Sequence, residues 1–275
     1  MSPVRVRARA VGTQRLELGE SARWDAVTRR VSWVDVEKGR LYAAPPGAWD
    51  EIAQLHQAPT SLSCALPDGS GGFVLAEGTR VARLAAEGTI ERGAELFPDD
   101  GVRRLNDGCL DPDGRVIVGT LSRGRDEPHE QLLRIEPDGR TTVLREGVRL
   151  SNGVAFHPDG RLHHVDSLAR TVSWCDYRRD PLRWITAFRV DDGLPDGLWI
   201  DSAGGVWVAA WGAGEVRRHR DDGRVDRIVE LDAPHVTSCV LVDERTLVIT
   251  TAREGLDAGQ LARHPASGSV FVAEL

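Results

Sequence analysis

Apolar residues in this chain alternate with polar ones over short runs, and the runs come in pairs. ESARWDAVTRRVSWVDV, SLSCALPDGSGGFVLAE, NDGCLDPDGRVIVGT, NGVAFHPDGRLHHVDS, DGLWIDSAGGVWVAAW and SCVLVDERTLVITTA share one layout. Each is a short apolar strand, a turn built on Pro, Asp, Gly or Thr, and a second strand rich in Val, Ile, Leu and Trp. Period-two alternation on both sides of such a turn predicts a β-hairpin, because successive side chains of a strand point to opposite faces. Further strand-like pairs follow most of the six, such as LLRIEPDGRTTVL from Leu132 and EVRRHRDDGRVDRIVEL from Glu215, again turning on Asp-Gly.

The hairpins recur at a near-constant interval. The residues that open their turns, Asp25, Leu66, Asp111, His157, Asp201 and Asp243, step by 41, 45, 46, 44 and 42 residues. Four antiparallel strands in a unit of that length are the size of a propeller blade. After the sixth turn only about three strands can be fitted, ending at SVFVAEL, while a surplus strand, VRVRARAV (Val4 to Val11), stands at the front. Pairing of the N-terminal strand with the last blade would close the ring and remove both open sheet edges. An open solenoid would instead need polar capping repeats. The expected fold is an all-β, six-bladed β-propeller, a single domain over residues 1–275.

The same register picks out candidate chemistry. Five residues before each turn stand Glu20, Ser61, Asn106, Asn152, Asp196 and Ser238, and every one carries a side-chain oxygen. The first strand of a blade lines the central channel, so these six should face one another at one mouth. Singly, Asn-Gly and Asp-Gly are turn dipeptides. Aligned in six blades, they form a ring of oxygens suited to a hard dication such as calcium, magnesium or manganese. Without a cation, two carboxylates converging to about 4 Å would repel by about 4 kcal/mol at an effective dielectric of about 20. Four or fewer protein ligands leave positions open for water or substrate. Arg104, two residues before Asn106, points to the same side of its strand, where it can meet substrate hydroxyls or an oxyanion. G-x-S-x-G is absent and the histidines are dispersed, so covalent serine hydrolysis is not expected.

Composition narrows the partners. Lys and Arg number 35 against 42 Asp and Glu, a net charge of −7, which disfavours nucleic acid and anionic membrane. No run reaches the roughly 18 apolar residues of a membrane span, and the Arg-rich N-terminus lacks the apolar core of a secretory signal. A soluble, cytoplasmic protein is expected, and a monomer is compatible with a closed ring. Cys64, Cys109, Cys175 and Cys239 show no C-x-x-C spacing, so neither a zinc knuckle nor a disulfide framework is indicated.

Longer motifs carry a resemblance. LGESARWDAVTRRVSWVDVEKGRLY, RLNDGCLDPDGRVIVGT, LSNGVAFHPDGRLHHVDS, LPDGLWIDSAGGVWVAAWGAGEVRR and GLDAGQLARHPASGSVFV, in that order, resemble the senescence marker protein, gluconolactonase and luciferin-regenerating enzyme family, which includes regucalcin. The likeness runs from about Leu16 to Phe271. It implies a six-bladed propeller with one divalent metal in the channel, calcium first and zinc, manganese or magnesium as alternatives, and hydrolysis of sugar lactones by metal-activated water. By resemblance, Glu20, Asn152 and Asp196 would bind the metal and Asp196 would also be the general base. Arg104 and Asn106 would contact substrate, with Asn106 reaching the metal directly or through water.

Some positions depart from the family. Leu121 stands where many relatives have Met, Val240-Leu241-Val242 follows Ser238-Cys239 in place of an F-G-G-like segment, and the loop Ser122 to Gln131 offers only Glu127 and Glu130 as acidic substrate contacts. The alternative functions are hydrolysis of other esters or phosphotriesters, or a non-enzymatic binding propeller.

Overall fold

The computed structural model describes residues 2–124 and 127–275; Arg125 and Asp126 of the Ser122 to Gln131 loop lie outside the described residues. The chain is all-β, six sheets arranged as the blades of a propeller, with one short helix at Ala258–Arg263 among the described residues. The innermost strands are Gly19–Asp25, Leu62–Pro67, Arg103–Leu110, Ser151–Phe156, Leu194–Ile200 and Val236–Leu241, and each blade grows outward from them by antiparallel pairing. No helix among the described residues is long and apolar enough to cross a membrane.

The expected strand at the front is two strands. Arg9–Val11 pairs antiparallel with Val270–Val272 and completes the sixth blade, as ring closure requires. Val4–Arg7 instead pairs parallel with Arg227–Glu230 as a fifth strand of the fifth blade. The segment thus ties two neighbouring blades together. The ring itself closes where the sixth blade meets the first: Thr237 Oγ1 donates to the Gly19 carbonyl at 2.5 Å, and Ala22 N–H donates to Ser238 Oγ at 3.2 Å.

Packing explains why the strands alternate yet are apolar on both faces. The buried hydrophobic residues fall into six clusters, and each cluster fills one seam between neighbouring blades. In the strand Arg30–Asp35, Val31 and Trp33 enter the seam with the sixth blade, while Val34 enters the seam with the second. Trp33 is fully buried, and a side chain of that size contributes roughly 3 kcal/mol or more by leaving water.

Candidate active site

All six innermost strands carry a one-residue register shift near the same end, between Glu20 and Arg23, Leu62 and Cys64, Leu105 and Gly108, Ser151 and Val154, Pro195 and Leu198, and Val236 and Ser238. A bulge re-aims the side chains at and beside it. Asn152-Gly153 and Asp196-Gly197, turn dipeptides by composition, therefore sit inside strands. Their glycines answer to crowding: a Cβ on Gly153 would lie 2.5 Å from Leu198 N, and one on Gly197 2.7 Å from the Thr237 carbonyl. Neighbouring blades meet there backbone to backbone, which brings the preceding Asn and Asp together.

A pocket of 240 Å³ at this end is lined by Glu20, Arg104, Asn106, Asn152 and Asp196, joined by Ser167, Glu254 and a set of apolar side chains. The five residues singled out by sequence are 6 to 9 % exposed. Asn152 donates through Nδ2 to Ser167 Oγ at 3.3 Å. Asn152 Oδ1 and Asp196 Oδ1 are buried without a partner. Arg104 Nη1 donates to Asn106 Oδ1 at 2.6 Å, to Ser63 Oγ at 3.0 Å and to the Leu105 carbonyl at 2.9 Å, while its Nε is unpartnered. Asn106 Nδ2 donates to the Ser151 carbonyl at 2.7 Å. Both ends of the Asn106 amide are thus engaged by the protein, its oxygen by Arg104.

Burial dominates the electrostatics. It pushes the Glu20 carboxyl up to about 8, helped by the nearby charge of Asp107. Asp196 rises well above the usual carboxylate range through burial first and then through Glu20 and Asp107. Burial also lowers the Arg104 guanidinium. Two carboxyls that resist ionisation share the pocket with the Arg104 guanidinium and the orphaned Asn152 Oδ1. The donor chemistry fits a hard dication: two carboxylates and an amide oxygen, with neither imidazole nor thiolate. Among the described residues no group of three or more His, Cys, Asp or Glu side chains converges as a metal set.

Some expected members of the ring fall elsewhere. Ser61 precedes its strand and is half-buried, and Ser238 lies deeper, against the first blade. The hairpins of the third, fourth and fifth blades close on Asp111, His157 and Asp201, whose N–H groups donate to Arg115, Arg161 and Gly205. In the second blade the closing residue is Asp68, donating to Gly72, and in the sixth it is Val242, donating to Thr246. Counted from those residues, the ring positions are Ser63 and Thr237, both buried and both oxygen-bearing. Bulges and unequal turns shifted the register, and sequence counting across them missed by two residues in one blade and by one in the other.

The acidic loop candidates also fall away from the pocket lining. Glu127 is exposed. Glu130 is buried and held by Arg103 Nε at 3.2 Å and Thr120 Oγ1 at 2.5 Å. Glu254 stands at the rim instead. Sequence reading also passed over Asp107, whose Oδ1 accepts from Arg23 Nη2 at 2.6 Å while its Oδ2 has no partner. Its position in the Asn-Asp-Gly run was the available signal.

Two serines meet a histidine: Ser122 Oγ lies 3.3 Å from His129 Nε2, and Ser151 Oγ lies 2.7 Å from His164 Nε2. Arg145 Nη1 faces the other ring nitrogen at 3.1 Å. Arginine can only donate, so Nδ1 accepts and the neutral, buried His164 carries its proton on Nε2. That tautomer donates to the serine and cannot remove its proton. A cleft of 690 Å³ at the turn side of the fifth and sixth blades is larger than the channel pocket, but two of its three arginines are already paired, Arg218 with Asp201 at 2.6 Å and Asp226 at 2.7 Å, and Arg220 with Asp226 at 2.8 Å.

Residues 18–253 match the sequence model of the family described as SMP-30/Gluconolactonase/LRE-like region. The chain belongs to that family. Among its relatives, a 6-deoxy-6-sulfogluconolactonase of Pseudomonas putida is 35% identical over 94% of this chain and 91% of its own length. An L-arabinolactonase of Azospirillum brasilense is 33% identical over 94% of this chain and 88% of its own length. The crystal structure of a regucalcin from Agrobacterium tumefaciens, described as a calcium-binding protein, superposes with a TM-score of 0.89 at 22% identity, covering 99% of this chain and 95% of that one. At that identity the structural likeness speaks for the fold alone, whereas the family match spans the five pocket residues singled out by sequence, from Glu20 to Asp196.

Proposed function

We propose that the chain, acting as one domain over residues 1–275, hydrolyses the cyclic ester of a small hydroxy acid, with Glu20, Asn152 and Asp196 holding one divalent cation, calcium first. The observation that carries this reading is the pair of buried, unpartnered oxygens, Asn152 Oδ1 and Asp196 Oδ1, in a pocket that also contains Glu20 and Arg104. When bound, such a cation supplies Lewis acidity toward an ester carbonyl and neutralises the two carboxylates. Asp196 Oδ1 is the proton acceptor for attacking water. Arg104, three of whose contacts fix its Nη1, turns its free Nε to a substrate oxygen. Asn106 holds that guanidinium in place. The names of the relatives make sugar lactones the first substrates to test.

Metal analysis of the purified protein, coupled to a panel of lactones, aryl esters and organophosphates, tests the proposal. Asp196→Asn and Glu20→Gln should each lower kcat/KM on lactones by at least about 10²-fold, with the circular dichroism spectrum unchanged. Wild-type turnover retained in both variants overturns the assignment. Selective turnover of organophosphates would move the reading to the phosphotriester alternative, and unchanged function after metal stripping would favour a binding propeller.

A further inference from the structure

Above its polar floor the pocket wall is hydrocarbon. Leu18, Leu121, Leu150, Leu194, Pro195 and Trp211 line it. Trp211 is held by stacking on His235, ring centroids 4.0 Å apart at 16°. Glu254 is the one carboxylate on that wall, and the open space continues outward past Leu121, Leu150 and Leu168 to Ser122 and Arg123. Arg123 is itself paired with Glu37.

Polar groups are few: the floor residues, the Ser167 hydroxyl and the Glu254 carboxylate. Ser167 Oγ accepts from Asn152 and the Asn106 amide is engaged at both ends. The unpartnered buried atoms of the pocket residues are Arg104 Nε, Asn152 Oδ1 and Asp196 Oδ1, and the proposed function commits all three to the cation, the water and the ester. A fully hydroxylated ring seated there would turn to leucine and proline carbon the hydroxyls that Glu254 and Ser167 do not meet, losing their hydrogen bonds to water. A methyl or methylene at the same place would gain from leaving water.

We infer that this site selects hydroxyl-poor lactones, deoxy- or alkyl-substituted, over fully hydroxylated aldonolactones, with Leu121 and Leu150 as specificity determinants. The inference rests on the reading that the pocket hydrolyses lactones. Apolar contacts of this size discriminate by roughly 10- to 200-fold.

The test compares δ-hexalactone with D-glucono-1,5-lactone, two six-membered lactones, using the metal-loaded full chain. Each kcat/KM is divided by the uncatalysed hydrolysis rate, because ring hydroxyls change intrinsic reactivity. The expected ratio favours δ-hexalactone by at least about tenfold, and Leu121→Asn and Leu150→Asn should each shrink it at least threefold while melting cooperatively. A wild-type ratio below tenfold overturns the inference whether or not the variants fold, and so does a ratio that folded variants leave unchanged. Preference for gluconolactone would sink only this selectivity, leaving lactone hydrolysis standing. Failure to cleave either lactone, at any metal loading, would sink the underlying reading instead.

Discussion

Glu20 and Asp196 are acids that the fold keeps from ionising. Burial raises both above their usual range, Glu20 from 4.5 to about 8. In the metal-free protein the folded state therefore holds protons that the unfolded chain has released. That contribution to stability is fully present below the unfolded value and is lost as pH rises through the folded one. Measured against the Glu20→Gln variant, so that the buried His163, His164, His219 and His235 cancel, chelator-treated protein should melt at progressively lower temperature between about pH 5 and about pH 8, and saturating calcium should flatten the curve. A wild-type melting temperature that rises relative to the variant across the same window would remove the basis for a shared carboxyl site. Arg104 is legible in the sequence as a neighbour of Asn106, but its grip by Ser63, forty-one positions earlier, is not. That contact exists because the second and third blades lie side by side. Arg104→Ala should lower kcat/KM by roughly 10²-fold, the cost of truncating a charged group that orients substrate.

The hairpins were legible because a strand's side-chain period is two and each turn announces itself with Asp, Pro or Gly. Asp111 shows why: its Oδ1 accepts from the N–H groups of Asp113 and Arg115, so the carboxylate closes its own turn. What alternation could not reveal was the bulge in every innermost strand, since one extra residue leaves the apolar pattern on both sides intact. It also could not divide VRVRARAV between two blades. Both halves present the same alternation, and only the edges available to them differ: Arg9–Val11 meets Val270–Val272, whereas Val4–Arg7 meets Arg227–Glu230. Deleting residues 2–11 should expose both edges and lower the melting temperature by roughly 6–12 °C, taking about 3 kcal/mol lost at 2–4 °C per kcal/mol for a domain of this size. An unchanged melting temperature would show that the strap contributes nothing to ring stability.

At the scale of the molecule, stability is spread over six seams, and the proposed cation would connect three blades across the axis: the first through Glu20, the fourth through Asn152 and the fifth through Asp196. Saturation at 100 times the dissociation constant should stabilise the fold by about 2.7 kcal/mol, read as an upward shift of a single melting transition. Asp196→Asn should abolish that shift. By itself the sequence determined the repeat and the number of blades, and it placed Glu20, Asn106, Asn152 and Asp196 in one register, because hydrophobic period and turn chemistry are local and recur at a set interval. Tertiary structure decided which oxygens remain unpartnered, that Ser63 and Thr237 rather than Ser61 and Ser238 occupy the corresponding hairpin positions, and that Glu130 turns away to Arg103. Those outcomes depend on where one blade's backbone presses on the next, a contact between residues some forty positions apart that no local pattern encodes.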